Sequence, residues 1–247
     1  MFGKITNRLK KFVKRVIWRY RADSQTYVEW LRKQGCEIGG GVHFIDPRNG
    51  WVDISRPWMV KIGNNVTITA GVVILTHDYG WSVMKAVYGD VIGNARPAII
   101  GDNVFIGMGT FILGGTRIGN NVIIGANSTV TGTIPDNCVA AGNPARVICT
   151  LDEYKKKREI NVCGETKTMI EMYYEKYGKI PSEDILYEHF WICENDVEKL
   201  SPALKDTLGW VKGSKEKTVD KFIKHKPAYD GYNALLLDCK FNNEGKK

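Results

Sequence analysis

Between Ile100 and Pro135 an aliphatic side chain returns every six residues: Ile100, Ile106, Ile112, Ile118, Ile124 and Val130. The fifth place of each block is β-branched or small: Val104, Thr110, Thr116, Val122, Ser128 and Ile134. A helix needs a period near 3.6 and a half-buried strand a period of 2, and neither fits. A fixed short repeat is the mark of a solenoid, and a period of six that of a β-helix. Each block then supplies one short strand, and three blocks close a triangular coil of about 18 residues. The aliphatic residue points inward and stacks one coil later, Ile100 under Ile118 and Ile106 under Ile124. Backbone groups pair with the neighbouring coils at roughly 4.8 Å. Gly and Asn suit the corners because they tolerate the left-handed backbone region. Asp102-Asn103 and Asn120-Asn121 stand one coil apart, as stacked corners require. The competing architecture is a β-sandwich with Gly-rich turns.

The repeat begins raggedly at I-G-G-G-V-H (38–43) and continues imperfectly through Phe44-Ile45 and Val52-Asp53-Ile54. It is clean at I-G-N-N-V-T (62–67) and I-T-A-G-V-V (68–73), then vanishes over residues 76–97 and resumes at Ile99-Ile100. A solenoid accommodates such an insertion as an excursion from one corner, and functional residues gather there. His77 opens the excursion. An imidazole titrates near neutrality when unperturbed, which suits it to take a proton from a hydroxyl. Tyr79, Trp81 and Tyr88 offer flat amphipathic surfaces, fit for a sugar ring or for packing within the loop.

The net charge of +8 is concentrated at the start of the chain, since residues 1–35 hold ten Lys/Arg and two acids. The remainder is balanced, which argues against nucleic acid as a partner. Residues 1–21 contain no acid; Phe2, Ile5, Leu9, Phe12, Val13, Val16 and Tyr20 share one helical face and basic residues the other. Such a helix either lies on an anionic membrane or packs on its own protein. A second helix, T-Y-V-E-W-L-R-K-Q, ends at Gly35 and caps the first coil. No apolar run approaches the ~18 residues of a membrane span. The six scattered cysteines read as reduced thiols of a cytosolic protein, neither a disulfide frame nor a metal site.

After Val147 the six-residue pattern stops. L-D-E-Y-K-K-K-R-E-I reads as a charged linker or short helix, and E-T-K-T-M-I-E-M-Y-Y-E-K-Y as a helix ended by Gly178. S-E-D-I-L-Y-E-H-F-W is expected to be helical with Ser182 as N-cap, and V-D-K-F-I-K and Y-D-G-Y-N-A-L-L-L-D-C follow as further helices. His189 and His225 read as ordinary structural histidines. The expected organisation is a basic helical arm and cap (1–35), a β-helix (36–149) with its excursion (76–97), and a helical extension (150–247).

Residues 36–149 resemble the left-handed β-helix acyltransferases, in particular the galactoside, maltose and polysaccharide O-acetyltransferases. The likeness rests on the hexapeptides, the T-H-D loop, R-P-A-I-I-G-D-N-V-F-I-G after it, and the ending I-P-D-N-C-V-A-A-G-N-P-A-R-V-I. It implies a mainly β fold, a left-handed parallel β-helix with N- and C-terminal helical extensions, assembled as a homotrimer with active sites in the clefts between protomers. The donor would be acetyl-CoA, with no metal. His77 matches the catalytic base and the backbone N–H of Met108 the oxyanion donor. Gly107, Gly125 and Ala126 would let pantetheine lie against the backbone. Thr131, Asn143, Pro144 and Arg146 match the nucleotide end of the groove, and Arg96 is a further candidate for a phosphate contact. Asp78, Tyr79 and Trp81 would face the acceptor, a sugar or polysaccharide. Relatives commonly carry Trp where this chain has Phe105 and Lys where it has Gly132.

The expected function is acetyl transfer to a sugar hydroxyl of a bacterial glycan or its precursor. The expected location is the cytoplasm, with peripheral contact at the inner membrane face. N-acyl transfer to an amino sugar or other small amine, and a non-enzymatic scaffold, remain open. A zinc-dependent carbonic anhydrase on the same fold would need three His ligands, and the repeat region offers only His43 and His77.

Overall fold

The computed structural model describes residue 13, residues 16–211 and residues 213–241. The chain divides into two compact units, Met1–Tyr154 and Lys155–Lys247.

The first unit is built on three parallel sheets. Face I holds Glu37–Ile38, Val60–Ile62, Ala98–Ile100, Arg117–Ile118 and Thr133–Ile134. Face II holds His43–Phe44, Thr67–Ile68, Val104–Ile106, Val122–Ile124 and Cys138–Gly142. Face III holds Gly50–Val52, Val72–Ile74, Phe111–Ile112 and Thr129–Val130. The chain visits the faces in the order I, II, III and returns to I. Strands are two or three residues long until the last coil, so stability comes from stacking between coils. On face I, Ile38, Ile62, Ile100, Ile118 and Ile134 pair in one column. On face II the column is Phe44, Ile68, Ile106, Ile124 and Ala140, and on face III it is Val52, Ile74, Ile112 and Val130. Every member is buried in one apolar core. Full burial of one such aliphatic side chain contributes about 1.5–3 kcal/mol.

The fifth-place residues are buried too, and the polar ones are satisfied. Thr116 Oγ1 donates to Val130 O at 2.9 Å and Ser128 Oγ to Gly125 O at 2.7 Å. The I/II corners are made by stacked asparagines: Asn65, Asn103, Asn121 and Asn137 all have positive φ, between 54° and 57°. Their side-chain amides form a ladder, Asn103 to Asn121 at 2.9 Å and Asn121 to Asn137 at 2.8 Å. The pairing of Ile100 with Ile118 and of Ile106 with Ile124 follows the repeat. The last coil departs from it. Ile134, the fifth residue of its block, takes the stacking place on Ile118, because the III/I corner there has only Thr131 and Gly132.

One end of the core is covered by helix α1 (Ser24–Gln34), whose Tyr27, Val28 and Leu31 are buried in it. Asp23 caps the helix start by accepting from Thr26 N, and Gly35 closes it in the left-handed conformation. Arg32 donates to the carbonyls of Ile38 and Gly39. Tyr20 stacks on Trp30 with centroids 3.9 Å apart, and Arg21 donates to Pro47 O and Gly50 O. The end of the basic arm therefore packs on its own fold. The face expected from Phe2 to Phe12 lies outside the described residues. At the other end, Cys138–Gly142 pairs antiparallel with Ala145–Thr150.

The second unit has its own core, centred on Ile170, Leu186, Phe190, Phe222 and Leu235. Residues expected as a charged linker or short helix followed by a further helix form one helix, α3 (Leu151–Tyr177; α2, Trp81–Tyr88, belongs to the first unit), continuous through Gly164. A single glycine costs a helix about 1 kcal/mol and does not end it. The stretch after Pro181 is not the expected helix but two 3₁₀ turns, Glu183–Leu186 and Phe190–Ile192, separated by Tyr187 at φ 24°; the Ser182 side chain makes no capping bond. A helix not anticipated, α4 (Pro202–Thr207), starts from Ser201, and α5 (Lys215–Lys224) and α6 (Gly231–Leu237) follow. His189 bonds Thr166 Oγ1 at 2.8 Å and His225 the carbonyl of Trp191 at 2.7 Å, both structural roles. Among the described residues no helix is long and apolar enough to cross a membrane.

Candidate active site

The III/I corners differ sharply in length. Between the flanking strands they comprise residues 53–59, 75–97, 113–116 and 131–132. The two longest are consecutive, so two insertions stack on one corner. The first carries a 3₁₀ turn, Pro57–Met59; Pro57 keeps the preceding residue, Arg56, out of the helical region, at φ −136° and ψ 67°. The second is the excursion. It opens and closes as a small antiparallel ribbon, His77–Asp78 against Asn94–Ala95, and carries helix α2 (Trp81–Tyr88), which the sequence reading did not foresee.

His77 stands where the two insertions meet. Its Nδ1 lies 2.6 Å from Asp53 Oδ2. The Asp53 carboxylate is buried and also accepts from Thr76 Oγ1, Thr76 N at 3.1 Å, Ser55 Oγ at 2.7 Å and Ser55 N at 2.9 Å. Burial alone would raise this carboxyl; the hydrogen bonds from Thr76, Ser55 and His77 outweigh it and hold the group well below the usual carboxylate range. An ionised carboxylate only accepts, so His77 Nδ1 carries the proton and Nε2 keeps the lone pair of the neutral ring. Asp53 was not singled out as a site residue. The available signal was an acid between Val52 and Ile54 in a coil otherwise aliphatic at its inward places.

Tyr79 packs edge-on against His77 with centroids 5.2 Å apart, and Trp81 follows at 6.3 Å from Tyr79. Asp78 accepts from Gly80 N at 2.9 Å and from the Asn94 amide, which together hold its carboxyl below the ordinary range. His77, Asp78, Tyr79 and Trp81 share a cleft of about 350 Å³ with Ser55, Arg56 and Trp58 of the first insertion. Tyr79 and Trp58 are 68% and 65% exposed, so both rings are open to a ligand. A second depression of about 640 Å³ lies along Trp51, Ile54, Leu75 and His77. Arg96 belongs to the same corner: its N–H donates to Thr76 O and its guanidinium lies over Gly115. Thr131 also lies on the III/I side, exposed.

The remaining expected site residues lie elsewhere. Gly107, Met108, Gly125 and Ala126 form the II/III corner, on the opposite edge of face III from His77. There Gly107 N donates to Ile124 O and Gly109 N to Ala70 O, while Met108 N has no acceptor among the described residues. A Cβ at Gly107 would sit 2.5 Å from Ala126 N, so that position accepts only glycine. Asn143 and Pro144 form the turn after the last face II strand, and Arg146 is exposed beyond it, its guanidinium donating to Ala145 O. A single chain thus holds the imidazole and the free amide apart. His43 lies on face II, away from His77.

Hexapeptide blocks stacked as parallel coils define the class, and comparison with known sequences agrees. The family described as bacterial transferase hexapeptide (six repeats) matches residues 97–132. Protein CapG of Staphylococcus aureus is 42% identical over 127 residues, 51% of this chain and 73% of that one. Galactoside O-acetyltransferase of Escherichia coli is 38% identical over 122 residues, 49% of this chain and 58% of that one. Among solved structures, a maltose O-acetyltransferase from Clostridium difficile is 31% identical, covers 51% of this chain and 75% of its own, and superposes with a TM-score of 0.38. The chain belongs to the hexapeptide-repeat transferases, and as such is an acyltransferase. Each of these relatives matches about half of the chain, and the family match lies within the hexapeptide repeats.

Proposed function

We propose that the protein is an acetyl-CoA-dependent O-acetyltransferase acting on a sugar hydroxyl of a glycan or glycan precursor. Its coils would wind as a left-handed parallel β-helix, and three copies would assemble so that the III/I corner of one protomer faces the II/III corner of the next. The observation that carries the reading is the Asp53–His77 pair at the head of a cleft flanked by exposed aromatic rings.

The chemistry follows from that pair. Asp53 keeps Nδ1 protonated, and Nε2 takes the proton of the acceptor hydroxyl as its oxygen attacks the thioester carbonyl. The tetrahedral oxyanion accepts from Met108 N–H of the neighbouring copy. Its collapse breaks the carbon–sulfur bond, and the departing thiolate takes the proton back from the imidazolium. General base catalysis contributes about 10²–10⁴-fold and one oriented oxyanion donor about 10²–10³-fold. Gly107, Gly125 and Ala126 would leave room for pantetheine, with Thr131, Asn143, Pro144 and Arg146 toward the nucleotide and Arg96 beside it. Asp78, Tyr79 and Trp81 would hold the acceptor ring. The basic segment 1–21 would keep the enzyme at an anionic lipid surface on the cytoplasmic side; its removal should then weaken partitioning onto anionic liposomes.

Incubation with labelled acetyl-CoA and a panel of free, nucleotide-linked and lipid-linked sugars tests the reading. Label is expected on a sugar oxygen. Label on a small amine, or on no acceptor, would overturn it.

A further inference from the structure

The cleft beside His77 contains more charge than the acid–base pair uses. Of the charged side chains on the two insertions, Asp53, Asp78 and Arg56 line the depressions beside His77, and Arg96 stands close enough to Asp78 to act on it. Asp53 is taken up by His77, Thr76 and Ser55. Asp78 is held by Gly80 N and Asn94 and lies in the field of Arg96, which helps to keep it ionised. Arg96 in turn lies over Gly115. Arg56 is the exception. It lines the cleft, is only partly exposed, and among the described residues its guanidinium has neither a hydrogen bond nor an ion pair. Its backbone is held in place, because Met59 N donates to Arg56 O and Pro57 restricts the residue before it. A planar, permanently charged fork, partly withdrawn from water and left without an acceptor, matches the geometry of a carboxylate or phosphate.

We infer that the acceptor is an anionic sugar, and that Arg56 binds its carboxylate or phosphate while Tyr79 and Trp58 lie against the ring. The inference rests on the sugar O-acetyltransferase reading above and narrows its substrate class. The charge sits on the acceptor side of His77, on the short first insertion, so it is a specificity device distinct from the base. Its role is to orient: a two-point hold, ionic at Arg56 and stacking at the rings, sets which hydroxyl reaches Nε2. A carboxylate and a phosphate share this chemistry, so acceptors of both kinds are compared.

The test measures acetyl transfer by the full-length enzyme to neutral hexosides, hexuronides and hexose 1-phosphates, with wild type, Arg56→Gln and Arg56→Lys. Wild type should prefer one of the anionic classes over its neutral counterpart at least tenfold in kcat/KM, and the preference should shrink as salt is raised. Arg56→Gln should bring the ratio close to one, chiefly through KM for the anionic acceptor, with the melting temperature unchanged. Arg56→Lys should keep part of the preference, as a point charge without the fork. A wild-type enzyme that acetylates neutral and anionic sugars equally overturns the inference and leaves the sugar reading standing. So does an Arg56→Gln variant that keeps the preference. Failure of every sugar to accept label from wild type overturns the sugar reading itself, and this inference with it.

Discussion

Asp53 and His77 are twenty-four residues apart in sequence and 2.6 Å apart in the fold, one on each of two stacked insertions at the same corner. The carboxylate is buried and the imidazole partly open, so the pair has an inner and an outer end. Asp53 is tied down by backbone and hydroxyl donors from its own turn and from Thr76. The arrangement fixes one tautomer of His77 before any substrate arrives, and orienting partners of this kind commonly govern the activity of the group they hold.

Replacing His77 by Ala should lower acetyl transfer by about 10²–10⁴-fold with only a modest fall in melting temperature, because the ring lies outside the apolar core and Asp53 keeps its donors from Ser55 and Thr76. Asp53→Asn should also lower turnover, by at least tenfold, and should alter the pH–rate profile, since the amide can present either a donor or an acceptor to Nδ1. Steady-state rates across pH, with CoA affinity measured alongside, check both. An Asp53→Asn enzyme with the wild-type profile would reduce the carboxylate to a structural role.

Asp53 also makes a pH-dependent contribution to stability. Its folded pKa is depressed, so the stabilisation is fully present above the unfolded carboxylate value near ~3.9 and is lost as pH falls below it toward the folded value. The sign is therefore loss on acidification. Asp53→Asn should be less stable than wild type by about 1–3 kcal/mol at pH 7, for it leaves buried donors without their charged acceptor. That gap should narrow below about pH 4. Urea unfolding of both proteins at neutral and acid pH measures it, and a gap that does not change with pH would contradict the assignment.

The asparagine ladder permits a sharper comparison. Asn121 has φ 57°, donates through its side chain to Asn137 and accepts from Asn103. Asn121→Ala loses both bonds and must hold a β-carbon in the left-handed region, at a cost of roughly 1–2 kcal/mol for the backbone alone. Asn121→Gly loses the same bonds but adopts that conformation freely. Gly should therefore be the milder substitution, which reverses the order expected in a helix or a strand. Chemical denaturation of the two variants decides it.

How much of this was legible in the sequence depends on how far each feature is set by periodicity. The pairing of Ile100 with Ile118 and of Ile106 with Ile124 follows from the six-residue spacing, whereas Ile62 and Ile68 join those columns across the excursion, at a separation that the spacing does not give. The excursion was visible as a loss of that spacing. The shorter insertion at residues 53–59 was not separable from an imperfect repeat, and Asp53, Arg56 and Trp58 lie on or beside it. Asp53 meets His77 only because one insertion lies above the other, a relation with no local signature. The helix α3 joins two stretches that read separately in the sequence and runs through Gly164 between them, whereas the S-E-D-I-L stretch carries helix-start residues yet is interrupted at Tyr187. Ser201-Pro202 was a usable start signal for α4, because proline fits the first helical position.

The most demanding prediction concerns the separation of His77 from Met108. The two lie at opposite edges of face III, so a site using both must draw them from different copies of the chain. Two inactive variants should then repair one another. His77→Ala disables the III/I corner alone, and Met108→Pro removes the unclaimed amide of the II/III corner alone. When the two are unfolded together and reassembled in equal amounts, random mixing gives about a quarter of the sites an intact histidine facing an intact amide. Acetyl transfer should recover toward that fraction of wild type, while each variant reassembled alone stays inactive. Matching melting temperatures would show that Met108→Pro keeps its coil. If the mixture remains as inactive as its parents, while mixtures of wild type with either variant assemble and lose activity in proportion, each protomer acts by itself and the intersubunit site is wrong.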